Sequence, residues 1–102
     1  MNEAYIKNKL KEGLIQFSEH SLHKMDICDV TLTELIDAML DGEVIEDYPE
    51  DQRGHSCLLL CKDKAGFLHV VLGSKEDNLF IITVYRPGPP KFVDERTRRG
   101  KK

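Results

Sequence analysis

The chain has 102 residues, 40% of them hydrophobic and 32% charged, with a formal net charge of −3. That length suits one domain with a single core. Plentiful Leu, Ile, Val and Phe with a small net charge exclude a disordered chain, and no apolar run approaches the ~18 residues of a membrane-spanning helix. The opening residues mix charge with apolar side chains and lack a signal peptide's apolar core, so a cytoplasmic protein is expected.

Along the chain, Ile6, Leu10, Leu14 and Phe17 fall at helical spacing, with Gly13 as a stop or weak point. Ser18 can cap a second, short helix over 19–25. A third helix is the clearest prediction, because Leu32, Leu35, Ile36, Met39 and Leu40 follow the period of one buried face. Thr31 and Glu34 fit a capping box at its start, and Gly42 stands where it should stop. The pattern then changes to strands over Glu43–Tyr48, Ser56–Lys62, Phe67–Leu72 and Leu79–Arg86. Lys64-Ala65-Gly66 and Ser74–Asn78 read as turns, and Pro87, Pro89 and Pro90 close the last strand. The order predicts an α+β domain over 1–92, with N-terminal helices packed on one face of a four-stranded antiparallel sheet, followed by a basic tail over 93–102.

A hairpin centred on Glu76 sets His69 opposite Thr83 and Phe67 opposite Tyr85. His69, Thr83 and Tyr85 then share one face, whereas a one-residue slip sets His69 beside Ile82 and Val84.

The net charge hides an asymmetry. Residues 26–54 carry ten acidic side chains against Arg53 alone, while residues 86–102 carry seven Lys and Arg against Asp94 and Glu95. Such blocks mark two surfaces of opposite sign, or simply a solvated helix and a frayed end. Three cysteines cannot all pair within one chain, and without a secretory signal they read as reduced thiols. His55, Cys57 and Cys61 are close in sequence, but the apolar run around the two Cys reads as a strand, and no CxxC spacing supports a metal site.

His20, His23 and Lys24 share one side of the short helix. With His69, Thr83, Tyr85 and Arg86 they can assemble a ribonuclease-type site that needs no metal or cofactor. Such a site requires a base for the ribose 2′-OH, an acid for the leaving oxygen and a cation for the phosphate. The plainer reading has a capping His and a packing Tyr, with no chemistry at all.

The segments Phe17–Leu22, Lys24-Met25, Gly42–Pro49 with Asp51, Ser56–Leu60, His69–Val71 and Ile82–Pro87 together resemble the bacterial and archaeal domain of unknown function 4258 family. The resemblance covers about residues 17–87. It implies a compact fold of the RelE-like and colicin-like ribonuclease toxins, and it maps that family's polar positions onto His20, Lys24, His69, Thr83 and Tyr85. It also implies a partner antitoxin. Two departures stand out: Lys24 replaces an Arg of the family and keeps only the charge, and Cys28 replaces a second Arg and loses it.

The resulting expectation is a metal-independent endoribonuclease toxin of a toxin–antitoxin pair, acting on RNA, with mRNA on the ribosome as one substrate. His20 and His69 would move protons, Lys24 and Arg86 would bind phosphate, and Thr83 and Tyr85 would position substrate. The rival expectation is a non-catalytic protein-interaction module of the same fold. A third is RNA or DNA binding through the basic tail without cleavage.

Overall fold

In the computed structural model, residues 1–52, 54–87 and 95–96 are described. Helix α1 (Glu3–Lys11) is capped by Asn2, whose side chain accepts from the Tyr5 amide. Gly13 ends it in the left-handed region at φ +72°, which glycine adopts without a Cβ clash. A short strand, β1 (Ile15–Phe17), leads to α2 (Glu19–Ile27) and α3 (Leu32–Leu40). The strands β2 (Glu43–Tyr48), β3 (Ser56–Asp63), β4 (Gly66–Lys75) and β5 (Asn78–Tyr85) follow.

The architecture is α+β, but the sheet has five strands in the order β1-β5-β4-β3-β2 and is mixed, not four-stranded and antiparallel. The extra strand is β1, which pairs parallel with β5 from Ile15↔Leu79 to Phe17↔Ile81. Phe17 therefore lies in a strand, and Leu14, whose carbonyl accepts from the Leu79 amide, lies just ahead of it and not on a continued helical face. Three residues are too few to show alternation, so periodicity had no window in which to reveal them.

The helices pack against one sheet face. Ile6, Leu10, Met25, Leu35 and Met39 meet Cys57, Leu59, Cys61, Leu68, Val70, Leu72, Leu79, Ile81 and Val84 in one buried cluster. The capping box on α3 is present, with Thr31 and Glu34 exchanging side chain-to-backbone hydrogen bonds. Glu34 also receives the Lys64 ammonium at 2.9 Å, which ties the β3–β4 turn to this helix. The opposite sheet face is also partly buried: Leu58, Leu60 and His69 are at most 5% exposed.

The β4–β5 register differs from the expected one. Glu76 and Asp77 form a two-residue turn, both left-handed at φ +51° and +70°, as a type I′ hairpin requires. The ladder starts at Lys75↔Asn78, and a bulge shifts it between Val71 and Leu72, so His69 faces Tyr85 and Thr83 faces Val71. Turn and bulge together displace the expected pairing by two residues, which preserves parity. His69, Thr83 and Tyr85 consequently do share a face, although His69 and Thr83 are diagonal neighbours.

The expected tail, 93–102, lies outside the described residues apart from Glu95 and Arg96. Among the described residues, no helix is long and apolar enough to cross a membrane.

Left-handed backbone at two non-glycine residues stores strain of about 1 kcal/mol or more in the β4–β5 turn. Replacing Glu76-Asp77 by Asn-Gly should therefore raise stability by about 1 kcal/mol. A higher urea midpoint with an unchanged slope is the expected readout.

Candidate functional site

The polar site grows out of the β1–α2 junction. The Ser18 amide donates to the Ile81 carbonyl at 3.1 Å, which extends the β1–β5 pairing by one residue. The Ser18 hydroxyl donates to the Ile82 carbonyl at 3.0 Å and accepts from the Ser21 amide, so the cap of α2 is fastened to β5. His20 then lies in the first turn of α2 with its Nε2 3.0 Å from Thr83 Oγ1. His20 is exposed, and Thr83 is half-buried on the sheet face turned away from the main core. Lys24, one turn beyond His20, is half-buried on the same side of α2.

His69 and Tyr85 form a second unit beside this pair. Their rings meet edge to face at 5.2 Å between centroids, as cross-strand partners do. His69 is wholly buried, and its Nε2 lies 2.6 Å from the Glu95 carbonyl oxygen. A carbonyl only accepts, so this contact puts the proton on Nε2. Arg96 reaches Glu43 at 2.8 Å, and Glu43, Leu60, His69 and Tyr85 are register partners in one row across the sheet. Glu95 and Arg96 thus lie against the row that holds His69.

Arg86, expected at the phosphate, is engaged by the β3–β4 hairpin and the end of α2. Its Nη1 and Nη2 donate to the two carboxylate oxygens of Asp63 at 2.7 and 2.9 Å. Nη2 also donates to the Cys28 carbonyl at the end of α2, and Nη1 to the Phe67 carbonyl. The Arg86 fork holds the Asp63 carboxyl below the usual carboxylate range, and the carboxylate in turn raises the guanidinium. Asp63 lies a whole hairpin away in sequence, and nothing local announces that it would claim the cation.

A cleft of about 540 Å³ opens on the far side of His20, with Phe80 and Ile82 of β5 and Gly73 of β4 forming its apolar wall. Asp51, His55 and Lys75 line it beside His20, together with the hydroxyls of Ser18, Ser56 and Ser74. Ser56 Oγ donates to Asp51 Oδ2 at 2.7 Å, and His55 Nε2 lies 2.6 Å from Asp47 Oδ1. The His55 ring holds the Asp47 carboxyl below its ordinary range. None of these lining residues was singled out from sequence as part of a cleft. They come from three separated segments, and only the tertiary fold assembles them.

Cys57 and Cys61 face the helices within the core, and burial pushes both thiols up to about 12. His55 is engaged with Asp47 and not with either sulfur. Among the described residues, no group of three or more His, Cys, Asp or Glu side chains is arranged to hold a metal ion.

The fold and site together define a small α+β domain whose exposed His–hydroxyl pair borders a cleft on one sheet face. Residues 17–86 match the family model described as domain of unknown function (DUF4258), and the chain belongs to that family. No curated protein and no solved structure matches the chain.

The Asp63–Arg86 pair supplies a pH test. A carboxyl held low in the fold contributes stability that is complete above its unfolded pKa of about 4 and is lost as pH falls through the folded value. Asp63→Asn should cost roughly 2 kcal/mol at pH 7, an intermediate figure because Arg86 is partly exposed. As pH falls below the unfolded carboxyl value of about 4 the difference from wild type should shrink, as seen by urea denaturation at several pH values.

Proposed function

We propose that the protein is a metal-independent endoribonuclease of RelE-like type, the toxin of a toxin–antitoxin pair. The observation that carries this reading is the exposed His20 imidazole within hydrogen-bond reach of the Thr83 hydroxyl, with Lys24 one helical turn away. Thr83 holds the ring in one orientation. With Nε2 directed at Thr83, Nδ1 of His20 takes the proton from a ribose 2′-OH, and that oxygen attacks the adjacent phosphorus as the bond to the leaving 5′-oxygen breaks. Lys24 supplies positive charge to the pentacoordinate phosphorane. Tyr85, on the same sheet face as Thr83, protonates the leaving oxygen. The products are a 2′,3′-cyclic phosphate and a 5′-hydroxyl.

In this reading His69 is a positioning residue. Its buried ring, with the proton directed at a backbone oxygen, suits orienting Tyr85 better than meeting RNA. Arg86 holds the end of α2 against the β3–β4 hairpin, and its pairing with Asp63 supports a structural role for it.

A second reading, a non-catalytic module that docks an antitoxin-like protein, draws support from the same Arg86. With that cation committed to Asp63, fewer positive groups remain for an RNA backbone.

The two readings separate by experiment. Purified protein in EDTA should cleave RNA, and His20→Ala should slow it by about 10²-fold or more. Lys24→Ala should reduce the rate, and Lys24→Arg should retain it. His69→Ala should lower the rate while shifting the alkaline limb of the pH profile, which reports Tyr85. Expression of the wild type should arrest growth, and His20→Ala should relieve the arrest. Equal cleavage by wild type and His20→Ala would overturn the assignment, and arrest that persists in this variant would favour the docking module.

A further inference from the structure

Glu43, Leu60, His69 and Tyr85 form one row across four strands, on the sheet face turned away from the main core. After β5 the chain comes back to this row at Glu95 and Arg96. The Glu95 carbonyl accepts from His69 Nε2 at 2.6 Å, and Arg96 meets Glu43 at 2.8 Å. His69 lies in β4 and Glu43 in β2, with β3 between them, so the dipeptide lies over the sheet and not at its edge. The two ties differ in kind. The histidine bond is short, and the His69 ring that donates it is wholly buried. The ion pair joins side chains that are each 52% exposed, and such a pair contributes little and weakens in salt. Its signs follow the charge asymmetry of the chain, since Glu43 belongs to the acidic block over 26–54 and Arg96 to the basic block over 86–102. That asymmetry has no part in the chemistry assigned to His20 and Lys24. At the other end of the row, the Tyr85 ring centroid stands 5.2 Å from that of His69. A backbone hydrogen-bonded to His69 therefore sits next to the phenol assigned to the leaving oxygen.

We propose that Glu95 and Arg96 form a detachable strap that restrains the candidate site. While the Glu95 carbonyl holds His69 and Arg96 holds Glu43, the strap obstructs the approach of an RNA strand to Tyr85 across this sheet face. Attraction between the acidic and basic blocks returns the strap to the sheet, and the exposure of its ion pair lets it leave. Opening of this kind is local, and it leaves the helix-facing core intact. What the strap guards rests on the ribonuclease reading, whereas the strap itself does not.

Hydrogen exchange of the His69 ring N–H, followed by NMR on the full chain, reads the strap without any substrate. Glu43→Lys and Arg96→Glu should each speed that exchange about two- to fivefold, with the urea midpoint unchanged. The double variant Glu43→Lys/Arg96→Glu reverses both charges and should return the exchange to within about twofold of wild type. Added salt should speed exchange in the wild type and not in the single variants. RNA cleavage by the single variants should rise by the same factor as the exchange. Faster exchange in a protein that cleaves no RNA in any variant would sustain the strap and defeat the ribonuclease reading. Exchange unchanged in both single variants, or not restored in the double, would overturn the strap. Faster exchange with cleavage present but unaltered would overturn it as a restraint on the site.

Discussion

The parallel pairing of β1 with β5 is the constraint on which the candidate site depends. Three residues of strand and one further amide bond, from Ser18 to Ile81, fix where α2 begins. Because Ser18 both caps α2 and bonds the Ile82 carbonyl, the first helical turn has no freedom to slide along β5. His20 must then arrive beside Thr83. An edge pairing so short contributes little stability by itself, since a few hydrogen bonds exchanged with water net about 1 kcal/mol each. Its effect is positional, and the core beneath α2, through Met25, supplies the energy that keeps it closed.

The other end of α2 is held by a different kind of force. Arg86 bridges the Cys28 carbonyl at the helix terminus to the Asp63 carboxylate in the β3–β4 hairpin. A cation at a helix C-terminus also meets the negative end of its dipole favourably. Arg86 thus puts positive charge at the end of α2. The helix bearing His20 and Lys24 is pinned at its start by hydroxyl and amide hydrogen bonds and at its end by an ion pair. This leaves the intervening turn as the part of α2 free to present side chains.

Local signals in the sequence read well where structure is decided locally. The 3.6-residue apolar period and capping box placed α3 within a residue or two, and β-branched runs located four of the five strands. What could not be read was decided between segments. β1 is a strand only because β5 lies beside it, and Asp63 claims Arg86 only because the hairpin folds back. Parity was the robust part of the register: an error of two residues left His69, Thr83 and Tyr85 on one face, although the facing pairs were different. His69 seemed available on a strand whose neighbours alternate, yet its ring is fully buried, because the far sheet face is covered as well as the near one.

The bulge in the β4–β5 ladder has a consequence for how the molecule divides its labour. Before it, Leu79 and Ile81 face the helices, and after it Val84 does, so the inward frame changes from odd to even numbers within one strand. Two successive residues, Ile82 and Thr83, are thereby left on the outward face, one lining the cleft and the other touching His20. β5 is in effect written in two frames that meet between these residues. Deleting one residue at the junction would restore a regular strand and merge the two outward positions into one, so the cleft and the histidine's partner could no longer both be present.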